Sequence, residues 1–345
     1  MGGEIMTEGI DEAGVVPWLK EHVPALQGEV NFALMVGGHS NLTFKCEDEA
    51  GNCFVLRRPP LGHVLESAHD MGREYKIIHA LRDSDVPVPA TYGLCKDKGV
   101  NDSDFYVMDF VEGLVLNDSV DGEQVIEPDR RKIGLHVIEI LCNLHTVDMD
   151  AVGLGDLGRK EAYLTRQLKR WTRQWEASKT HEVPEMEECC RILTESMPEQ
   201  VGATIVHGDF RLGNMIVKDG SVQAILDWEL CTLGDPLADV GYILNNWISP
   251  GEPEEQGEGD QAPTATGGYP SREEFSEIYS RNTGRDLSEI NYYRAFSHWR
   301  LSAIGQGVYK RYLVGAMGES RGVDLDKQKA NVAKRARLAL TLLQN

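Results

Sequence analysis

Residues 204–229 read TIVHGDFRLGNMIVKDGSVQAILDWE, and no other stretch restricts the fold so tightly. Two apolar runs, Met215-Ile216-Val217 and Val222 to Ile225, flank Asp219-Gly220, a pair that closes two-residue hairpins because both positions must take positive φ. With that turn, Lys218 faces Ser221, Val217 faces Val222 and Asn214 falls opposite Ile225, so Asp227 comes just past Asn214 on the neighbouring strand. Upstream, Thr204, Ile205 and Val206 lead into His207, Gly208, Asp209 and Arg211. Burying such polar groups unpaired costs on the order of a few kcal/mol each. They either satisfy one another in a turn or face a cleft and hold a ligand.

The same geometry suggests chemistry. An amide oxygen and a carboxylate at the mouth of a hairpin suit Mg²⁺, which takes one or two protein carboxylates and completes its shell with phosphate and water. A further carboxylate left free of the metal, Asp209, can orient a hydroxyl for attack.

Elsewhere the pattern separates into two parts. Residues 30–38, 41–48 and 52–59 are strand-like, divided by Gly37-Gly38 and Ala50-Gly51-Asn52. A short helix over 8–25 either breaks or starts at Pro17. A second helix over 67–84 has Met71, Tyr75, Ile78 and Leu81 at helical spacing and Ser67 as its N-cap. "VPVPATYGLCKD" and "DFYVMDFVEG" complete a mostly antiparallel sheet. From about residue 124 the periodicity becomes helical: 129–148, with Ile133, Val137, Ile140, Leu141 and Leu144 on one stripe, then 160–178, 185–197, 271–282, 288–313 and 325–343. The tract 249–270, rich in Gly, Pro and Glu, is expected as a mobile loop. The expected organisation is an α+β chain with a sheet-rich lobe over 1–110 and a helical lobe over 111–345.

A formal net charge of −20 over 345 residues argues against a nucleic-acid partner. The cysteines at 46, 53, 95, 142, 189, 190 and 231 show no zinc spacing and read as reduced thiols. The start, MGGEIMTEGIDEAG, is acidic where a secretion signal would be basic and then apolar. No apolar run approaches the roughly 20 residues of a membrane helix. A soluble, cytoplasmic protein without a membrane partner is expected, of open oligomeric state.

"HGDFRLGN" followed by "ILDWE" resembles the catalytic and metal loops of the aminoglycoside phosphotransferase family, within the protein-kinase-like fold. The spacing H-x-D-x-x-x-x-N matches the kinase catalytic loop, and Asp227, eighteen residues beyond Asp209, takes the place of the metal-binding aspartate. "GGHSNLTF", "FVLRRPP", "SAHDMGREYKIIHAL", "YVMDFVEG", "VGLGDLGR" and "GDPLADVGY" extend the likeness, most closely to the kinase-like domain of acyl-CoA dehydrogenase fusion proteins. The resemblance implies a bilobal fold, with an antiparallel-sheet N-lobe and a mainly helical C-lobe, that transfers the γ-phosphoryl of ATP to a hydroxyl of a small molecule.

Carried over residue by residue, it makes Asp209 the catalytic base or hydroxyl-orienting group and Asn214 and Asp227 the Mg²⁺ ligands. Arg211 sits where protein kinases keep a lysine against the transferring phosphoryl. His207 braces the loop, and Asp239 anchors its backbone. Arg57 stands where the family's strand lysine meets phosphate, with Glu74 as its glutamate partner; an arginine here is a departure, since the two cations are not interchangeable. The phosphate loop "GGHSN" lacks GxGxxG and leaves Gly38, His39 and Ser40 near the phosphates. The Asp109 carbonyl and the Val111 amide would meet adenine, with ATP between the lobes.

"GLGDLG" (153–158) fits GxGxxG, but a helix and "DMDAV" precede it where a dinucleotide site needs a strand, so it reads as a turn. Arg166, Lys169, Arg170 and Arg173 form a basic helix face beside Trp171 and Trp175, either a solvated face or a seat for an anionic substrate such as a CoA phosphate. Arg294, His298 and Arg300 raise the same pair of readings. The resemblance to the acyl-CoA dehydrogenase-fused branch implies a hydroxyacyl compound or its CoA thioester as acceptor, with an aminoglycoside or amino alcohol as the other substrate reading. From another class, a nucleotide-binding pseudokinase serving as a regulatory module draws on the arginine at 57 and the short phosphate loop.

Overall fold

Five short strand-forming runs, alternating in Leu42–Asp48 and continuously apolar in Phe105–Met108, pair into one antiparallel sheet early in the chain. The computed structural model describes residues 7–35, 41–61, 70–252, 262–315 and 323–344. In it β1 (Val30–Leu34), β2 (Leu42–Asp48), β3 (Cys53–Arg58), β4 (Thr91–Cys95) and β5 (Phe105–Asp109) lie in the order β1-β2-β3-β5-β4. The β2–β3 turn is built by Asp48, whose Oδ1 accepts from Ala50 N at 2.9 Å and Asn52 N at 2.8 Å. Across the sheet Arg57 pairs with Thr43 on one side and Tyr106 on the other. One face packs on α1 (Glu12–His22), whose Val15 and Leu19 join Phe44, Phe54, Leu56 and Phe105 in a core. Pro17 lies inside α1 and neither starts nor ends it, because burial of the Val15 and Leu19 stripe outweighs the one backbone hydrogen bond proline forfeits.

Helix α2 (Met71–Leu81) packs against β4 and β5. Its N-cap is Asp70, which accepts from Arg73 N at 2.9 Å, rather than Ser67, which lies outside the described residues. These elements form one compact unit, Met1–Glu112, which also takes in Gln223–Glu229. That later segment is tied in by Ile225 N, 2.9 Å from Pro87 O.

The second unit comprises Gly113–Val222 and Leu230–Asn345. It opens with β6 (Leu114–Val115), α3 (Ser119–Glu123), α4 (Glu127–Leu144), α5 (Tyr163–Ser178) and α6 (Pro184–Glu195). Helix α4 buries the expected stripe of Ile133, Val137, Ile140, Leu141 and Leu144. Strands β7 (Thr204–Val206), β8 (Met215–Lys218), β9 (Ser221–Ile225) and β10 (Thr232–Gly234) follow, in sheets ordered β10-β7 and β6-β8-β9. The β8–β9 turn has Asp219 at φ 51° and Gly220 at φ 78°, the paired positive φ values that the Asp-Gly dipeptide predicts.

Helices α7 (Leu237–Asn245), α8 (Arg272–Thr283), α9 (Ile290–Leu313) and α10 (Leu325–Gln344) complete the unit. Helix α9 is buried over most of its length, against α7 on one side and α10 on another. The approach to α7 is close enough that a Cβ on Gly241 would stand 2.7 Å from the Tyr293 backbone. The tract expected to be a mobile loop is fixed where it is described. Thr264 Oγ1 donates to Ile248 O at 2.9 Å and accepts from Ile248 N at 2.8 Å, while Trp247 Nε1 donates to Pro270 O at 2.8 Å. Buried hydrogen bonds override composition over 262–270; residues 253–261 lie outside the described ones. All seven cysteines are free, and no described helix is long and apolar enough to cross a membrane.

Candidate active site

Strand β3 sends Arg57 toward α2, and the sequence-predicted group Arg57, Glu74 and Asp227 comes together in the first unit. Arg57 Nε donates to Glu74 Oε2 at 3.1 Å, and its Nη2 to Asp227 Oδ1 at 3.0 Å. Asp227 holds this position in the left-handed region, φ 64°, a conformation that costs a non-glycine residue energy and that clusters at functional sites. Glu74 is buried, and burial pushes its carboxyl up to about 7 against the pull of Arg57, with Asp227 and Glu229 adding to the rise. Burial opposes the charge of Arg57, but the carboxylates around it, Glu74 first, hold its pKa above the ordinary value.

In the second unit the loop after β7 is held from α7. Asp239 Oδ2 accepts from His207 N at 2.6 Å and Oδ1 from Gly208 N at 2.8 Å, with His145 Nε2 at 3.5 Å. Gly208 has φ +85°, and a Cβ there would meet Leu230 at 3.0 Å, so the loop needs glycine at this turn. Asp209 N donates to His207 Nδ1 at 3.2 Å. The Asp209 carboxylate is one-fifth exposed; its Oδ2 accepts from Asn214 Nδ2 at 2.7 Å, and Arg211 Nε lies 3.6 Å from Oδ1. Oδ1 also accepts from the Tyr242 hydroxyl. Burial, with Asp209 beside it, raises the Tyr242 phenol far above its ordinary pKa, so it stays a donor.

Further cations surround this group. Arg300 lies over the Tyr242 ring, 5.3 Å from its centre, and donates to Gly208 O at 2.7 Å. Arg335 on α10 acts electrostatically on Tyr242 and Arg211; burial, and then the Arg211 charge, lower its pKa. Burial pushes the His298 imidazole down to about 3, reinforced by Arg335, Arg294 and Arg272, so it is neutral near pH 7. Tyr242 and Arg335 escaped the sequence reading because their only signal is tertiary. The "GDPLADVGY" motif contains the tyrosine, but nothing in it says that the side chain reaches Asp209.

The remaining sequence-predicted residues are dispersed. Gly38, His39 and Ser40 lie outside the described residues. Asp109 ends β5, its N–H bonded to Ala90 O at 2.8 Å and its carboxylate taking the Tyr92 hydroxyl; Val111 follows, half-buried. Lys169, Arg170 and Arg173 are exposed on α5 over buried Trp171 and Trp175, with the Arg170 guanidinium 4.9 Å from the Trp171 ring centre. Arg166 turns back to the Arg159 carbonyl at 2.6 Å. "GLGDLG" forms turns.

The donor chemistry fits a hard cation. Asn214 uses its Nδ2 on Asp209, at 2.7 Å to Oδ2 and 2.8 Å to the carbonyl, so its Oδ1 is the atom it has to offer. Asp227 gives Oδ1 to Arg57, which leaves Oδ2. Each of these oxygens, taken by itself, is a donor of the type Mg²⁺ accepts. Among the described residues, no group of three or more His, Cys, Asp or Glu forms a closed metal cage.

Comparison with known proteins adds the family context. Residues 33–275 match the family model described as "Phosphotransferase enzyme family". Mouse acyl-CoA dehydrogenase family member 10 is 39% identical over 305 residues, which is 87% of this chain and 28% of that protein. Human acyl-CoA dehydrogenase family member 11 is 32% identical over 315 residues, 88% of this chain and 40% of that protein. The chain therefore spans well under half the length of these relatives. A Ralstonia eutropha crystal structure provisionally named an aminoglycoside phosphotransferase is 32% identical, with a TM-score of 0.80 over 97% of this chain and 98% of that one. ADP-bound aminoglycoside phosphotransferase APH(2'')-Ib, 15% identical with a TM-score of 0.57 over 97% and 99% of the two chains, shares the fold. The fold is the protein-kinase-like one of the aminoglycoside phosphotransferases.

Proposed function

For a chain that belongs to the phosphotransferase enzyme family, we propose ATP-dependent transfer of the γ-phosphoryl group to a hydroxyl of a small molecule. The observation that carries this reading is the loop 207–214: two backbone amides clamped by Asp239, and a partly exposed Asp209 carboxylate held by Asn214. In this reading Asp209 orients the acceptor hydroxyl and takes its proton as the new P–O bond forms and ADP departs. Arg57 and Arg211 offset charge on the phosphoryl oxygens. Asn214 and Asp227 would hold Mg²⁺, which when bound neutralises phosphate oxygens. Gly38, Ser40, Asp109 and Val111 are assigned with Arg57 and Glu74 to the nucleotide.

The acceptor we infer is anionic. Arg211, Arg300 and Arg335 gather around Asp209 and Tyr242, surroundings that repel a polycationic aminoglycoside and attract a carboxylate or phosphate. The acyl-CoA dehydrogenase names of the relatives then favour a hydroxyacyl compound or its CoA thioester, with Lys169, Arg170 and Arg173 free to meet CoA phosphates. One observation favours a nucleotide-binding pseudokinase instead: Arg57 is already committed to two carboxylates.

The test is Mg²⁺-dependent ADP release with hydroxyacyl-CoAs, hydroxy acids, aminoglycosides and amino alcohols as acceptors. Hydroxyacyl acceptors are expected to stimulate the wild type, and Asp209→Ala to lose at least about 10³-fold in transfer while keeping ATP affinity. Stimulation by aminoglycosides alone would overturn the acceptor class. ATP binding with no stimulated acceptor, and no effect of Asp209→Ala, would favour the pseudokinase.

A further inference from the structure

The charge of Asp209 rests on two oxygens, and each already has a donor. Asn214 Nδ2 is 2.7 Å from Oδ2, and the Tyr242 hydroxyl donates to Oδ1. Asn214 belongs to the same loop, but Tyr242 comes from α7, one turn past Asp239. Helical residues three apart share a face. Helix α7 therefore offers the loop two grips from one face, the Asp239 carboxylate for its backbone amides and the Tyr242 phenol for its reactive side chain.

The ring itself is fixed. Tyr242 is only 5% exposed, and the Arg300 guanidinium stacked on it donates to the Gly208 carbonyl at 2.7 Å. Arg300 is 6% exposed, has no carboxylate within ion-pair distance among the described residues, and leaves its Nε without a partner. An apolar residue would fill that space without burying an uncompensated cation. What the arginine adds is a hold on both the ring and the loop.

An ionised carboxylate has about four lone-pair sites, and the terminal torsion of aspartate is broad, so a carboxylate with one donor can swing. Resting on the phosphotransfer reading above, we propose that Tyr242 is a positioning residue: it locks the Asp209 carboxylate in one orientation, so that the lone pair left on each oxygen points in a fixed direction for the acceptor hydroxyl. Arg300 holds Tyr242 and the loop in register.

Tyr242→Phe keeps the ring and its contact with Arg300 and removes only the hydroxyl. Its kcat for the stimulated acceptor is expected to fall roughly 10- to 100-fold, the usual scale for a misplaced reacting group. The KM for ATP should stay within about twofold, since the nucleotide groups are untouched. In an Asp209→Asn background the same change should add no further loss, because its effect runs through the carboxylate. Arg300→Lys should fall between wild type and Tyr242→Phe, an ammonium being able to reach the carbonyl but not to cover the ring. A crystal structure of Tyr242→Phe should show Asp209 turned or in two orientations. An unmoved Asp209 in that crystal, or a multiplicative loss in the Asp209→Asn background, would overturn the proposal. If the wild type phosphorylates no acceptor, the phosphotransfer reading falls, and the orientation of Asp209 in the variant crystal still decides the positioning role.

Discussion

Glu74 and Asp239 are carboxylates buried to 2% and 1% exposure, one in each unit, and their surroundings drive them in opposite directions. Burial raises both. For Glu74 burial prevails and lifts the carboxyl to about 7, because its one cation, Arg57, is shared with Asp227. For Asp239 burial is outweighed by the hydrogen bond of His145 and by the His207 and Gly208 amides, which hold it below the usual aspartate range. The second unit builds its cluster from fixed backbone donors, so its geometry is set before any ligand arrives. The first builds its cluster from side-chain charges, two carboxylates on one arginine. That arrangement can take up a proton in place of the cation it lacks.

Asp239→Asn should have the largest effect. The amide keeps one acceptor and turns the other into a donor aimed at a backbone N–H, either that of His207 or that of Gly208. Losing a buried charge-assisted network of this kind costs about 3–5 kcal/mol, to be read from urea unfolding at pH 7. Arg57→Met also strips a buried carboxylate of its partner, but Glu74 can protonate at neutral pH. The loss should stop at about 2 kcal/mol, while affinity for ATP is expected to fall roughly tenfold under the proposed function, in which Arg57 meets phosphate. Equal destabilisation by the two variants would erase the distinction between the clusters.

Local sequence carried much of the architecture. Asp219-Gly220 specified its hairpin because positive φ at two successive positions is a demand few residues meet. The stripe on α4 gave that helix its buried face for the same local reason, 3.6-residue periodicity. Where two local signals competed, the outcome depended on packing. Pro17 was overruled by the buried face of α1, and the α2 cap fell to Asp70 rather than Ser67. At the candidate site, Asp209, Asn214, Arg57, Glu74 and Asp239 were legible as spacing in motifs. Tyr242 and Arg300 were not legible as partners of the loop, since the bonds that join them to Asp209 and Gly208 cross 33 and 92 positions. Arg300 looked like part of a basic helix face; its contacts turn it inward, toward the loop.

The smallest effect is the one that isolates Glu74. Its folded pKa of about 7 stands above the ordinary 4.5, so between those values the folded protein binds more protons than the unfolded chain. The stability this proton supplies is complete below about pH 4.5 and is lost as pH rises through 7. Asp239 works the other way: its contribution is present above the unfolded aspartate value and is lost as pH falls through its depressed pKa, outside this window. Urea unfolding of wild type and Glu74→Gln at pH 5 and pH 8 separates the two, because every other group cancels in the difference. The wild type should lose on the order of 1–3 kcal/mol more than the variant between those pH values. Parallel pH dependence would mean that Glu74 is charged at both ends, that Arg57 alone overcomes its burial, and that the first cluster is as fixed as the second.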